Sequence, residues 1–121
     1  MPPIRIQLSR AKGWRMPPNT VKVDRSTRWG NPFTPAMLYI AGPTWAKAGG
    51  LKPGDPIGQT GAVEAFRELM LTNLHSESTK TKALLQQLRG KNLACWCRPG
   101  TPCHADVLLE LANATPMDRY R

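Results

Sequence analysis

One short segment, residues 93–104, holds all three cysteines of the chain and one of its two histidines. Three is an odd number, so the thiols do not form a complete set of disulfides. At 121 residues the chain is long enough to bury an apolar core without disulfide support. The cluster therefore indicates metal ligands, a nucleophile or small buried side chains.

Local patterns predict how this segment folds. In a strand over residues 92–97, Cys95 and Cys97 project to one face and Trp96 projects to the other, where we expect it to join the core. Thr101 and Pro102 are typical of an N-cap followed by the first helical residue. We therefore expect residues 103 and 104 to lie in the first turn of a helix.

The rest of the chain predicts a small α/β sandwich. Apolar and polar residues alternate over 4–8 and 20–24, as in strands with one wet face. Helical spacing follows over 62–74, 82–89 and 107–112, and Gly90 is a natural helix end. The order β, β, loop, α, α, β, α fits a single domain over 1–121 with a mostly parallel sheet and flanking helices.

A long loop interrupts this pattern. Four prolines and six glycines fall within residues 34–61, a composition that breaks regular structure repeatedly. Loops of this length in a compact domain are often lids or binding segments.

The net charge of +9 points to anionic partners. Seven Lys and Arg residues lie within the first thirty positions, where Asp24 is the only acidic residue. Such a field concentrates phosphorylated or polyanionic ligands, although a merely soluble basic surface would look the same. The chain shows no secretory leader and no apolar run long enough for a membrane span, so we expect a cytoplasmic protein that does not contact membranes.

Two motifs give the chain a family resemblance. Gly30-Asn31-Pro32 forms a turn, and Cys95-Trp96-Cys97 ends the strand before Cys103 and His104. With them the chain resembles the bacterial and phage family called domain of unknown function 4326, over nearly its whole length. Family members often have less between the Gly-Asn-Pro turn and the next helix, so residues 36–61 look like an insertion. The resemblance implies a bacterial or phage setting but no reaction.

A nucleotide or phosphate site is the first interpretation. If the strands run parallel, the loop of residues 25–33 and the start of the Cys103 helix meet at one sheet edge. A thiol there has a lowered pKa and is a candidate nucleophile. Catalytic candidates are Cys103, His104 and Asp106; ligand-binding candidates are Arg25, Ser26, Thr27, Arg28, Trp29, Gly30, Asn31 and Cys97.

Two other interpretations stay open. Cys95, Cys97, Cys103 and His104 are suitable zinc ligands, although a Cys-x-Cys pair beside adjacent Cys-His is an unusual spacing. Alternatively, the cysteines are small core side chains.

We expect an enzyme of nucleotide or nucleic-acid metabolism that carries out group transfer or hydrolysis. No cofactor is favoured, and zinc is the metal that the cysteines would accept. The alternatives are a non-catalytic, zinc-stabilised module that binds nucleic acid, and a phage protein that blocks a host factor through residues 36–61.

Overall fold

The fold is α/β, as predicted. The computed structural model describes residues 3–39, 50–75 and 79–114. Within these ranges the elements are β1 (Arg5–Gln7), β2 (Thr20–Lys22), α1 (Gly58–His75), α2 (Thr79–Leu88), β3 (Asn92–Cys95) and α3 (His104–Asn113).

The three strands form a parallel sheet in the order β1-β3-β2. Short bonds continue the pairing beyond the strand ends: the Leu8 amide donates to the Cys95 carbonyl at 2.7 Å, and the Val23 amide donates to the Ala94 carbonyl at 2.8 Å. Because the strands are parallel, the chain leaves β2 and β3 at the same sheet edge. The Arg25 loop and the cysteine segment are therefore neighbours in space.

Helix α3 is the central packing element. It contacts β1 and β3 as well as both other helices. Its apolar face, predicted from the helical spacing, is completely buried at Val107 and Leu108. The largest fully buried side chains are those of Leu74, Leu85, Leu88, Leu93, Leu108, Val23, Val107, Cys95 and Cys103. Burial of such residues is the main force that holds a chain of this size together.

The start of α3 differs from the prediction. The helix begins at His104 with Cys103 as N-cap in extended conformation (φ −151°, ψ 140°), so the predicted cap at Thr101 and first turn at Pro102 were wrong. The Thr101 hydroxyl donates instead to the Arg98 carbonyl at 2.6 Å and closes the preceding turn. As N-cap, Cys103 still lies at the positive end of the helix dipole.

The predicted insertion contains paired backbone at its two described ends. The Tyr39 amide donates to the Asp55 carbonyl at 2.7 Å, and the Ile57 amide donates to the Met37 carbonyl at 2.8 Å. Residues 40–49, the middle of the insertion, lie outside the described residues. In the described part of the chain, no helix has the length and apolar character needed to cross a membrane.

Candidate functional site

A cavity of about 260 Å³ lies where the chain leaves β2 and β3. Both sequence motifs contribute to it, as do α1 and α3. Its lining residues are Asp24, Arg25, Ser26, Asn31, Gln59, Cys95, Trp96, Cys97 and His104. This volume lies just below the usual range for small-molecule sites, which begins at about 300 Å³.

Asp24 organises the loop at the cavity wall. Its buried carboxylate accepts hydrogen bonds from the Ser26 amide at 3.1 Å, the Ser26 hydroxyl at 2.5 Å and the Trp96 indole N–H at 2.8 Å. Lys22 Nζ lies 3.6 Å away. Burial alone would raise the pKa of Asp24, but the bonds from Ser26 and Trp96 outweigh it, so the pKa lies below its usual value. The Asp24 carboxylate therefore keeps its negative charge and connects the Ser26 turn to Trp96 of the Cys-Trp-Cys motif.

Gly30 allows the loop to fold back on itself. A Cβ at this position would lie 2.6 Å from the Arg25 Cα and 2.8 Å from the Asp24 carbonyl oxygen. Gly30 was predicted to bind a ligand, whereas in the structure it packs against the chain's own backbone. Thr27 acts in the same turn, because its hydroxyl donates to the Asp24 carbonyl at 2.9 Å.

Asn31 connects the loop to α1. Its buried side chain donates to the Ala62 carbonyl at 2.9 Å and accepts from the Phe33 amide at 2.9 Å. Both ends of the amide thus have intramolecular partners. This arrangement fixes the loop against the helix.

The two arginines of the loop lie at different cavities. Exposed Arg25 lines the cavity described above and donates to the Asn31 carbonyl. Arg28 bonds the Gln87 side chain at 2.6 Å and stacks at 4.8 Å over the ring of Trp29. Arg28 and the buried Trp29 line a second cavity, of about 320 Å³, among the helices. The predicted ligand-binding set is therefore divided between two places.

The three cysteines meet in space. All are free thiols, and their sulfur atoms lie within 4.8 Å of one another. Cys95 Sγ and Cys103 Sγ are 3.0 Å apart and buried, whereas Cys97 is half-buried. Among the described residues, this is the cluster whose donor atoms could hold a metal ion.

The cluster divides charge unequally among its thiols. A hydrogen bond from Cys95 lowers the pKa of Cys103 to about 3 against the effect of burial, with further help from His104. Conversely, that bond and burial raise the pKa of Cys95. Burial raises the pKa of Cys97 to about 11. Cys103 is therefore the thiol that ionises most readily, but it is fully buried and does not line the cavity. Cys97 is the more accessible thiol.

His104 lies between the thiols and the core. Its Nε2 donates to the Val23 carbonyl at 2.5 Å, because a carbonyl only accepts. On its other side, Nδ1 lies 3.9 Å from Cys103 Sγ, and this contact helps to lower the pKa of Cys103. The ring also packs edge-on against Phe66, with centroids 5.5 Å apart.

Asp106 lies away from the cavity lining and pairs with Arg5. Arg5 Nη1 is 2.9 Å from the Asp106 carboxylate, and the same guanidinium donates to the carbonyls of Thr101 and Arg98 at 2.8 and 2.9 Å. Burial raises the pKa of Asp106, and the charge of Arg5 partly offsets this. Arg5 thus holds the turn between Cys97 and Cys103.

Three residues at or beside the cavity were not predicted from the sequence, and a fourth was predicted in the wrong environment. Asp24, Gln59 and Arg10 were not predicted, although Asp24 ends an alternating strand, where ligand sites of parallel sheets occur. Gln59 Nε2 donates to the Pro102 carbonyl at 2.8 Å and lies 4.0 Å from Cys97 Sγ. Trp96, expected in the core, is 39% exposed because β3 ends at Cys95. Its ring faces the Arg10 guanidinium at 4.5 Å.

Comparisons with known proteins identify uncharacterised relatives. The model of a family described as "Domain of unknown function (DUF4326)" matches residues 6–114. An "Uncharacterized 12.4 kDa protein in nrdA-td intergenic region" of Enterobacteria phage T4 is 29% identical over 101 residues, which cover 84% of this chain and 74% of that protein. No solved structure shows a significant match.

Proposed function

The chain belongs to the domain of unknown function 4326 family, and from this premise we propose that it is an enzyme that binds a small, nucleotide-type anion in the Asp24–Cys97 cavity. This name denotes the 260 Å³ cavity at the ends of β2 and β3. The reaction class is group transfer or hydrolysis at a glycosidic or phosphate centre. The observation that supports the proposal is that residues of both family motifs line this one cavity.

The cavity contains complementary groups for such a ligand. Arg25 supplies a positive charge at the rim, and its guanidinium geometry suits a phosphate. The half-exposed Trp96 ring offers a surface on which a base can stack. Asp24 is a stable acceptor for a hydroxyl group.

Acid–base chemistry falls to His104 in this proposal. It is the histidine that lines the cavity, and the Val23 carbonyl fixes its ring with Nδ1 3.9 Å from Cys103 Sγ, so the proton that it gives or takes passes through this nitrogen. Cys97 lines the cavity, so it is the thiol that a bound ligand contacts first. Cys103 is fully buried next to the cavity and does not contact the ligand. Binding itself needs no cofactor, and zinc at the thiols is compatible with it. We also propose a cytoplasmic location, since free thiols are typical of a reducing compartment.

Equilibrium binding tests the proposal. The probes are the adenosine, guanosine, cytidine and uridine monophosphates, each titrated into the protein by calorimetry. We expect Arg25→Gln to weaken binding of the preferred nucleotide about 10- to 100-fold, the usual value of a hydrogen bond to a charged group. Arg28→Gln is the matched control, because this second arginine of the same loop lines the other cavity. Equal losses in both variants, or no binding of any of the four, would refute the proposal.

Product analysis of the same mixtures separates the reaction classes. Release of free base indicates glycosidic chemistry, and release of inorganic phosphate indicates phosphoester chemistry. His104→Gln should abolish either product while nucleotide binding changes less than about threefold. Unchanged turnover in this variant would remove His104 from the mechanism.

A nucleic-acid-binding module is the competing function. The Arg10–Trp96 stack on the surface favours it, because arginine and aromatic surfaces bind single strands. Such a module would bind a single-stranded oligonucleotide with an affinity that falls steeply with salt, and Arg25 and Arg28 would contribute alike. If nucleotide binding is lost in Arg25→Gln and kept in Arg28→Gln, the result favours the enzyme with a ligand cavity over the nucleic-acid-binding module.

A further inference from the structure

The geometry points to a zinc centre in which Cys95, Cys97 and Cys103 are the protein ligands and the fourth coordination position opens into the Asp24–Cys97 cavity. The three donors come from the end of β3, the following turn and the N-cap of α3. They converge although they are not grouped as paired Cys-x-x-Cys ligands. The inference depends on the thiol cluster, and only the role of the open position rests on the proposed function.

The distances between the sulfur atoms suit a tetrahedral site. Zinc–sulfur bonds of about 2.3 Å place neighbouring sulfur atoms about 3.8 Å apart. The three sulfur atoms lie within 4.8 Å of one another, and the 3.0 Å pair would separate by less than about 1 Å on binding. Three thiolates also select soft metal ions such as zinc over hard ones such as magnesium.

The surrounding residues hold the ligands in place. Arg5 donates to the carbonyls of Arg98 and Thr101 and so fixes the turn that joins Cys97 to Cys103. Gln59 donates to the Pro102 carbonyl beside Cys97 Sγ. Three thiolates and one Zn²⁺ leave one net negative charge, which the Arg5 guanidinium and the positive end of α3 partly balance.

The fourth position is open because the nearby imidazole, whose Nδ1 lies 3.9 Å from Cys103 Sγ, is not close to all three sulfur atoms. His104 Nε2 is bonded to the Val23 carbonyl, and the cluster of mutually close donor atoms consists of the three sulfurs without a histidine nitrogen. Cys95 and Cys97 line the cavity. Solvent or a bound ligand therefore supplies the fourth donor, which is typical of catalytic rather than structural zinc sites.

Cobalt substitution tests the inference on the full chain. The protein is reduced with a phosphine, freed of metal by chelation, and titrated with Co²⁺ and then Zn²⁺. We expect one Co²⁺ per chain, with thiolate-to-cobalt charge transfer and the intense visible bands of four-coordinate cobalt, all displaced by one equivalent of Zn²⁺. Azide should shift the visible bands by entering the open position.

Variants identify the ligands. Cys97→Ser changes the half-buried thiol, leaves the two core thiols in place, and should weaken Zn²⁺ binding by at least about 100-fold, since even indirect partners of a metal contribute 10- to 100-fold. His104→Gln should keep the cobalt spectrum and the azide response, and His75→Gln is the matched histidine control at the end of α1. Circular dichroism confirms that each variant is folded.

Four results would overturn the inference: no stoichiometric Co²⁺ in the reduced protein, unchanged affinity in Cys97→Ser, loss of the bands in His104→Gln, or bands that do not respond to azide. The last result would indicate a closed site with a fourth protein ligand. Nucleotide binding is measured separately in the metal-free protein. Loss of the metal site therefore leaves the proposed function standing, and failure of nucleotide binding leaves the metal site standing.

Discussion

Replacing Gly30 by alanine tests how the Gly-Asn-Pro turn shapes the cavity wall. The new Cβ would meet the Arg25 Cα at 2.6 Å and the Asp24 carbonyl oxygen at 2.8 Å. Both neighbours are backbone atoms, so no side chain can rotate away to relieve the clash. The loop also cannot shift freely, because the Gly30 amide donates to the Thr27 carbonyl at 3.0 Å and Thr27 bonds Asp24.

The cost follows from these contacts. Overpacking in a fixed environment costs about 1–3 kcal/mol. A shift that relieves it would weaken hydrogen bonds worth about 0.5–1.5 kcal/mol each. We therefore expect the free energy of unfolding to fall by about 3 kcal/mol in Gly30→Ala. For a chain of this size the melting temperature should fall by about 12 °C.

Thermal unfolding followed by circular dichroism measures this effect. Gly13→Ala is the control, because Gly13 has a positive φ of 83° but no atom within 4 Å of a new Cβ. Its cost is that of left-handed backbone alone, about 1–2 kcal/mol. The reasoning is refuted if Gly30→Ala is no less stable than Gly13→Ala.

Three further predictions concern residues that support the site. The folded pKa of Asp24 is below its usual value, so its stabilising effect is present above about pH 4 and is lost as the pH falls through the folded pKa. The stability difference between the wild type and Asp24→Asn in urea titrations should therefore shrink below about pH 4, and a constant difference would contradict this. Asn31→Ala leaves the Ala62 carbonyl and the Phe33 amide without partners and should cost about 2–3 kcal/mol in urea unfolding; a loss below about 0.5 kcal/mol would show that water replaces the bonds. Leu108→Ala, at a fully buried position of α3, should cost about 2–5 kcal/mol. Leu69→Ala, at a partly exposed position of α1, should lower the free energy of unfolding by well under half as much. Equal losses of stability in the two variants would contradict the placement of Leu108 in the core.

The sheet and helices were predictable because their signals are local. Alternation over residues 4–8 and 20–24 predicted the two strands that pair with β3, although Ile4 is 56% exposed and the Arg5 side chain is mostly buried, so the wet face was not predicted correctly in β1. The left-handed Gly90 ends α2 as its position indicated. Parallel pairing then places the Arg25 loop beside the cysteines. The sequence predicted this proximity only for the case in which the strands run parallel. Strands and helix ends can be predicted from sequence periodicity because each depends on a few neighbouring residues.

Long-range choices among equivalent side chains were not predictable. Arg25 and Arg28 are alike in sequence, yet tertiary packing sends them to different cavities. Thr101 has the right chemistry for a cap, but a bond to the Arg98 carbonyl uses its hydroxyl and moves the helix start to His104. Asp24 becomes the partner of Trp96, 72 positions away, only once the sheet has formed.

The indole proton of Trp96 gives the most direct test of a ligand site between the two motifs. It lies at the cavity in a 2.8 Å bond to Asp24, whereas Trp29 lines the second cavity. In a ¹H–¹⁵N titration with the preferred nucleoside monophosphate, the Trp96 indole signal should shift in a saturable way and the Trp29 signal should stay. A shift at Trp29 with Trp96 unmoved, or small shifts spread over the basic surface, would contradict the account.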